Sequence, residues 1–497
     1  MNPATTPPAF DNDRYVELQS AAIRERAKRF GNKLYLEIGG KLLKDLHAAR
    51  ILPGFEPDVK LRMLQSLGDQ IEFIVCAFAG DVERHRYRAD FGTTYDAEVL
   101  RLIDDVRARG LTVRSVVLTR FDPSMRAAAA FAERLRTLGL SVYLHAPIPG
   151  YPNDVDLILS DEGFGRNPCV ETTAPIVGVI APGPSSGKLA TCLSQVYHEN
   201  RRGVPAGYAK YETFPVWNLP LSHPVNIAYE AATADLEDVN MIDPFHLDAY
   251  GETAVNYNRD IEIFPVMNAI FEDIYGENPY KSPTDMGVNM VGNSICDDAV
   301  CCEAANQEII RRYYTALCNL ADGKASESEV NKIALLMKRA KITTADRKCT
   351  IAAKERLERS GVASSAIELC DGTLISAETS PLLGPSAALL LNAMKHLAGI
   401  AHNVKLIPQT MIAPIQKTKV TYLHGHNPRL HTDEVLVALS MMSLLDENCK
   451  NALEQLPKLA GSQVHSCVML SEVDRKTFNK LGVGLTCDPV RKIKKTV

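Results

Sequence analysis

From Lys33 onward the chain alternates short apolar runs with stretches in which apolar residues recur every third or fourth position. The runs predict strands over Leu34–Ile38, Ile71–Phe78, Val113–Thr119, Ser141–His145, Val155–Leu159 and Ile176–Ala181. Between them, helical spacing is clearest in Ala97–Arg109 and Met125–Leu138. Strands separated by helices of this length pair in parallel through right-handed crossovers. The expected fold is therefore α/β, a doubly wound and mostly parallel sheet.

Gly203 to Asn293 breaks the rhythm, being dense in Asn, Asp, Tyr, Glu and Pro. Polar, aromatic-laced stretches of this kind form ordered loops that carry function on an α/β scaffold. Three helical patterns follow, Asp297–Asn319, Ser326–Ala340 and Thr344–Ser360. Gly323 marks a break, and Ser326 offers an N-cap followed by early acids. Strand-like runs at Ala366–Ser376, Lys417–Leu423, Val464–Leu470 and Val473–Leu481 then mix with helices at Pro385–Ile400 and Thr432–Leu444. These patterns divide the chain into an N-terminal α/β domain over 1–296, a helical connector over 297–362 and a smaller C-terminal α/β subdomain over 363–497.

Length and composition narrow the function classes. A chain of 497 residues exceeds one ordinary core, and 46% apolar with 23% charged residues is typical of a globular protein. The formal charge of −5 is spread along the chain, which speaks against a nucleic-acid footprint. The one basic cluster is the tail Arg491-Lys492-Ile493-Lys494-Lys495, read as solvated. Met1 to Asp13 shows no secretory pattern, and the apolar stretch Leu382–Met394 is too short for a bilayer. Twelve cysteines without any C-x-x-C pair fit reduced thiols and a cytoplasmic location. No membrane partner is expected, and a homo-oligomer is.

The strongest local signal is the segment from Ile176 to Thr191, where an apolar strand meets Pro182-Gly183-Pro184-Ser185-Ser186-Gly187-Lys188 and a helical pattern begins at the lysine. Backbone N–H groups of such a turn and the helix N-terminus form an anion site, to which Lys188 adds a point charge. The segment is P-loop-like, with two departures: Pro182 stands where the first glycine belongs, and Leu189 replaces the magnesium-binding hydroxyl, leaving Thr191 as the nearest one. An ordinary βα turn needing glycine geometry is the alternative. Gly183, Ser185, Ser186, Gly187, Lys188 and Thr191 are the candidate phosphate ligands.

Candidate acids lie in two places. Asp161 and Glu162 follow the run Val155–Leu159, at what would be a strand's carboxyl edge. Asp243 precedes His246, and Asp285 lies further on. Each could position magnesium or act as general base, or simply cap a helix. Asn226, Glu230, Asn256, Asn258, Arg259, Lys281 and Asn289 suggest a polar substrate site, although amides of this kind also satisfy irregular backbone.

Two other motifs are weaker. His424, His426 and His431 cluster before Thr432, where strand alternation would put the first two on one side. No closed tetrahedral set is apparent, so no tightly held zinc is expected. His198-Glu199 begins like a zinc-peptidase motif, but Arg202 occupies the second histidine's place. Cys192, early in the helix after Lys188, reads as a buried structural thiol.

The segments Phe10-Asp11-Asn12, Leu36-Glu37-Ile38-Gly39-Gly40-Lys41, Leu52–Lys60, Arg88-Ala89-Asp90-Phe91-Gly92, Ala181–Gln195 and Lys281–Gly292 resemble a conserved bacterial protein family of unknown function, over almost the whole chain. Its members are sometimes labelled ATP-dependent peptidases, which the missing second histidine disfavours here. The family loop usually reads Gly-Pro-Gly-Ser-Gly-Lys, so Ser185 stands in for its middle glycine. The resemblance carries over no catalytic residues. The residues themselves suggest a protein that binds a nucleotide (with magnesium) or another phosphorylated metabolite at Gly183–Lys188. It would be either a phosphotransferase or ligase, or a non-catalytic sensor or assembly protein.

Overall fold

The computed structural model describes residues 8–40, 42, 43, 45–88, 92–236 and 238–492. Lys41, Ala89, Asp90 and Phe91 of the family segments, the first seven residues and tail residues 493–497 lie outside them. The chain forms two compact units. One comprises Ala9–Asn226 and Asp238–Asp298, and the other has its described parts within Ile227–Glu237 and Ala299–Val497.

The first unit is built on six parallel strands: β1 (Leu34–Ile38), β2 (Ile71–Phe78), β3 (Thr112–Thr119), β4 (Ser141–Leu144), β5 (Ile176–Ile180) and β6 (Gly207–Tyr211). Their order across the sheet is β4-β3-β2-β5-β1-β6, and every neighbouring pair runs parallel. Central β5 is buried at all five positions and β2 at seven of eight. Continuous apolar runs are what a strand covered on both faces needs, each aliphatic side chain contributing about 1.5–3 kcal/mol by burial. Gly178 in β5 is a packing requirement, because a Cβ there would lie 2.6 Å from the Phe73 ring of β2.

Two differences from the sequence reading matter for the site. Val155–Ile158 is a short helix, not a strand, because Asp154 caps it by accepting from the Leu157 N–H. A five-residue apolar run fits either element, and the cap decides. The sixth strand is instead β6, whose Gly-Tyr-Ala-Lys-Tyr sequence lies within the polar section.

In the second unit, β7 (Ser364–Glu368) and β8 (Leu374–Glu378) form a hairpin, β9 (Gln463–Ser466) pairs antiparallel with β7, and β10 (Gly484–Cys487) pairs parallel with β9. The helices Asp298–Ala321, Glu327–Arg339 and Lys348–Ser360 match their patterns, and Ser326 caps the second as expected. Two expected strands are helical. Ser471 caps Glu472–Lys480, with Glu472 and Asp474 in its first turn, while Gln409–Lys417 continues into a helical turn over Thr418–Tyr422. No helix among the described residues is long and apolar enough to cross a membrane.

Candidate functional site

The connections after β2 and β5 lead to opposite sides of the sheet, since β2 feeds β3 and β4 while β5 feeds β6 beyond β1. Open parallel sheets bind ligands where connections diverge in this way, outside the strands' carboxyl ends. A cavity of about 520 Å³ lies at that edge, lined by Glu37 from β1, Thr119 and Arg120 at the end of β3, His145 after β4, Tyr151, Asn167 and the segment Ser185–Thr191.

The loop after β5 turns into the helix Lys188–Arg201 at Gly187, whose φ of +87° suits glycine. A Cβ at Gly187 would also meet the Thr119 side chain at 2.9 Å. No side chain caps this helix, so the N–H groups of its first turn have no intrahelical or capping acceptor. The loop is held from outside. Thr119 Oγ1 donates to the Ser186 carbonyl at 2.8 Å, Ser186 Oγ to the Gly183 carbonyl at 2.6 Å, and Arg120 to the Ser185 carbonyl at 2.5 Å. Arg120 also stacks on the Phe78 ring, 3.7 Å from its centroid.

Ser185 has φ +54°, a left-handed conformation that glycine adopts without strain. Replacing it with glycine is expected to raise unfolding free energy by up to about 1 kcal/mol in chemical denaturation. A loss of stability would show that the serine side chain contributes more than its backbone costs.

Lys188 reaches inward, its side chain 15% exposed, with its Nζ 3.9 Å from a Glu37 carboxylate oxygen. Glu37 also accepts from the Tyr208 hydroxyl at 2.8 Å. Beyond it lies a second charged group on β6 and its extension, where Lys210 contacts Asp260 at 2.6 Å and Glu212 at 3.3 Å. Burial pushes the Glu212 carboxyl up, against the pull of Lys210. Burial opposes the Lys210 charge, but Asp260 and Glu212 hold its ammonium above the usual range. Glu212 crosses Gly39 so closely that a Cβ there would lie 2.1 Å from its Oε1, which explains a glycine directly after β1. His145 is buried and driven down to about 4 by that burial, so it is neutral, with Nε2 3.0 Å from the Pro168 carbonyl.

Of the residues singled out from the sequence, Ser185, Ser186, Gly187, Lys188 and Thr191 line this cavity, and Gly183 shapes the loop against Tyr95. Thr191 is buried and accepts from the Cys76 thiol at 3.4 Å. Cys192 is buried too, and burial raises its thiol well above the usual range. Asp161 and Glu162 are exposed and no strand precedes them; Asp161 pairs with Arg201 at 2.7 Å.

The polar residues fall elsewhere. Asp243 caps the helix Pro244–Tyr250 and accepts from Thr284, while His246 meets Ser282 Oγ at 3.0 Å. Asp285 accepts from Tyr250 Oη and the Lys281 N–H. Asn226 bonds backbone groups of Val216, Leu219 and Pro220, and Asn289 those of Thr213 and Pro215. Asn258 accepts from the Val239 N–H and Arg259 pairs with Asp238. Asn256 and Asn289 border a small cavity of about 50 Å³ with Lys210, Glu212 and Trp217. In the second unit, Glu230 pairs with Arg339 at 2.5 Å.

The other two motifs resolve locally. His198 and Glu199 lie on one helix, His198 against the Asn167 carbonyl and Glu199 accepting from Tyr35 Oη. His424 and His426 are exposed after a helical turn, so strand alternation does not apply. His431 is the N-cap residue of the next helix and bonds Asp474.

Glu37, Thr119, Arg120, His145, Tyr151 and Asn167 were not legible as site residues. Thr119-Arg120 and Leu144-His145 carried a usable signal, since each is the last apolar-strand position and the residue after it.

The chain matches the model for the N-terminal domain of unknown function DUF1846 over residues 8–341 and the corresponding C-terminal domain over 345–496. A UPF0371 protein of Corynebacterium urealyticum is 55% identical over 480 residues, covering 97% of both chains. UPF0371 proteins of Corynebacterium diphtheriae and Streptococcus sanguinis are 54% and 51% identical, again over 97% of both chains. With both domains matched and relatives this similar along their whole length, the chain belongs to the UPF0371 family of DUF1846 proteins.

Proposed function

We propose that this protein binds a phosphorylated small molecule, a nucleotide or another phosphometabolite, in the cavity beside Lys188 and acts on it as a phosphotransferase or ligase. The observation that carries the reading is an uncapped helix N-terminus with Lys188 and Arg120 beside it, opening into about 520 Å³. Free N–H groups and two cations form a cradle for a phosphate, and the volume suits a metabolite-sized ligand. Glu37 favours turnover over sensing. It is the cavity's acidic lining residue and lies 3.9 Å from the Lys188 ammonium. A carboxylate there could orient a nucleophile or hold a magnesium ion brought by the nucleotide. A passive cradle has no use for a negative charge beside its phosphate.

The test is a thermal-shift screen against nucleotides with and without magnesium, sugar phosphates and inorganic phosphate. At least one phosphorylated compound is expected to raise the melting temperature in proportion to the logarithm of its concentration, and its unphosphorylated parent is not. No stabilisation by any phosphorylated compound would overturn the reading.

A further inference from the structure

We propose that the second unit carries a site for a divalent transition metal, zinc by ligand type, formed by His465 Nε2, Cys467 Sγ and an Asp488 carboxylate oxygen. These three atoms lie within 4.8 Å of one another. His465 ends its side chain wholly inside the protein, Cys467 is 1% exposed, and Asp488 reaches the surface, giving an ion a route inward.

The contacts around His465 place Nδ1 toward Thr486 and Nε2 toward Asp488. The Thr486 hydroxyl gives its proton to the Val464 carbonyl at 3.0 Å. The same hydroxyl oxygen accepts from Arg347 Nε at 3.1 Å and lies 2.9 Å from His465 Nδ1. With the hydroxyl proton given to Val464, Nδ1 carries the imidazole proton and Nε2 presents a lone pair. That Nε2 is buried, makes no hydrogen bond, and has an Asp488 oxygen 3.5 Å away. A lone pair directed at a carboxylate is repulsive unless a cation lies between them.

The histidine–aspartate edge fits a metal. Zinc bonds of about 2.0–2.3 Å imply ligand-to-ligand edges of roughly 3.3–3.7 Å, and the histidine–aspartate separation falls within them. A metal-binding histidine is oriented by a hydrogen bond through its other nitrogen, and Thr486 Oγ1, 2.9 Å from His465 Nδ1, is placed to supply one. On binding, the Cys467 thiol releases its proton to solvent, and thiolate plus carboxylate then balance a divalent charge. Three protein ligands leave a fourth position for water. The sequence concealed the group because 20 residues separate Cys467 from Asp488 and no spacing motif joins them; strand pairing of β9 with β10 brings them together.

The competing account is a thiol proton shared with Nε2 and no metal. Cobalt titration of the purified full chain, freed of any histidine tag, separates the two. One equivalent is expected to produce a thiolate-to-cobalt absorption band that zinc abolishes. Cys467→Ser and Asp488→Asn are each expected to weaken binding more than about a hundredfold, beyond the loss from disturbing an outer-sphere partner. Cys296→Ser, an exposed thiol of the other unit, should change nothing. The proposal is overturned if no band appears, or if the band survives Cys467→Ser. Should Cys467→Ser fail to fold, the more conservative Asp488→Asn decides, with unchanged affinity counting against the site.

Discussion

Lys188→Ala is expected to lower affinity for the best phosphorylated ligand roughly ten- to a hundredfold while leaving the fold intact. The side chain starts at the first residue of an uncapped helix, where the macrodipole repels an ammonium. Among the described residues its one ion pair is with Glu37, at the long limit of such a contact. A phosphate between the ammonium and the first-turn N–H groups removes the conflict, and a charge-assisted contact of this kind contributes about 1.5–3 kcal/mol. The opposing account makes Lys188 a counter-ion for Glu37 alone. Alanine would then leave a mostly buried carboxylate without its neighbour, so stability would fall and ligand affinity would not change. Calorimetric titration of both proteins, paired with denaturant unfolding, separates the two outcomes.

What was readable in the sequence follows the strength of burial. β2 and β5 sit in the middle of the sheet and are apolar nearly throughout, so periodicity located them almost to the residue. β6 is at the sheet's edge, pairs on one side with β1, and carries Lys210 and two tyrosines whose hydroxyls need partners. Nothing in Gly-Tyr-Ala-Lys-Tyr distinguishes it from the polar loops around it. The loop 183–188 was readable because glycine geometry and a helix start leave a compositional mark. Glu37 was not, because it occupies one position of an otherwise apolar strand and looks like a tolerated surface acid. Its setting beside Tyr208 and Lys188 is assembled from β1, β6 and the helix after β5, which no local pattern joins. Asp161 follows an apolar run that is helical, so it does not stand at a sheet edge.

Asp243→Ala is expected to cost about 2–4 kcal/mol of stability. The side chain is 0% exposed, and its two oxygens accept four hydrogen bonds. Oδ1 takes the Phe245 and His246 N–H groups at 3.0 and 3.1 Å, capping the helix Pro244–Tyr250. Oδ2 takes the Thr284 N–H at 3.1 Å and its hydroxyl at 2.7 Å, tying that helix to the turn Pro283–Met286. Loss of the cap alone costs about 1 kcal/mol. Alanine also leaves the part-buried Thr284 donors without their acceptor, which adds about 1–3 kcal/mol. Asparagine keeps one acceptor oxygen but presents an N–H₂ to donors, so Asp243→Asn should fall between alanine and wild type. If Asp243 instead positioned a metal or base for chemistry, its removal would abolish turnover with little loss of stability. Chemical denaturation of the three proteins, alongside ligand affinity measured on the folded fraction, decides between these roles: a stability loss under about 1 kcal/mol for alanine would exclude the structural one.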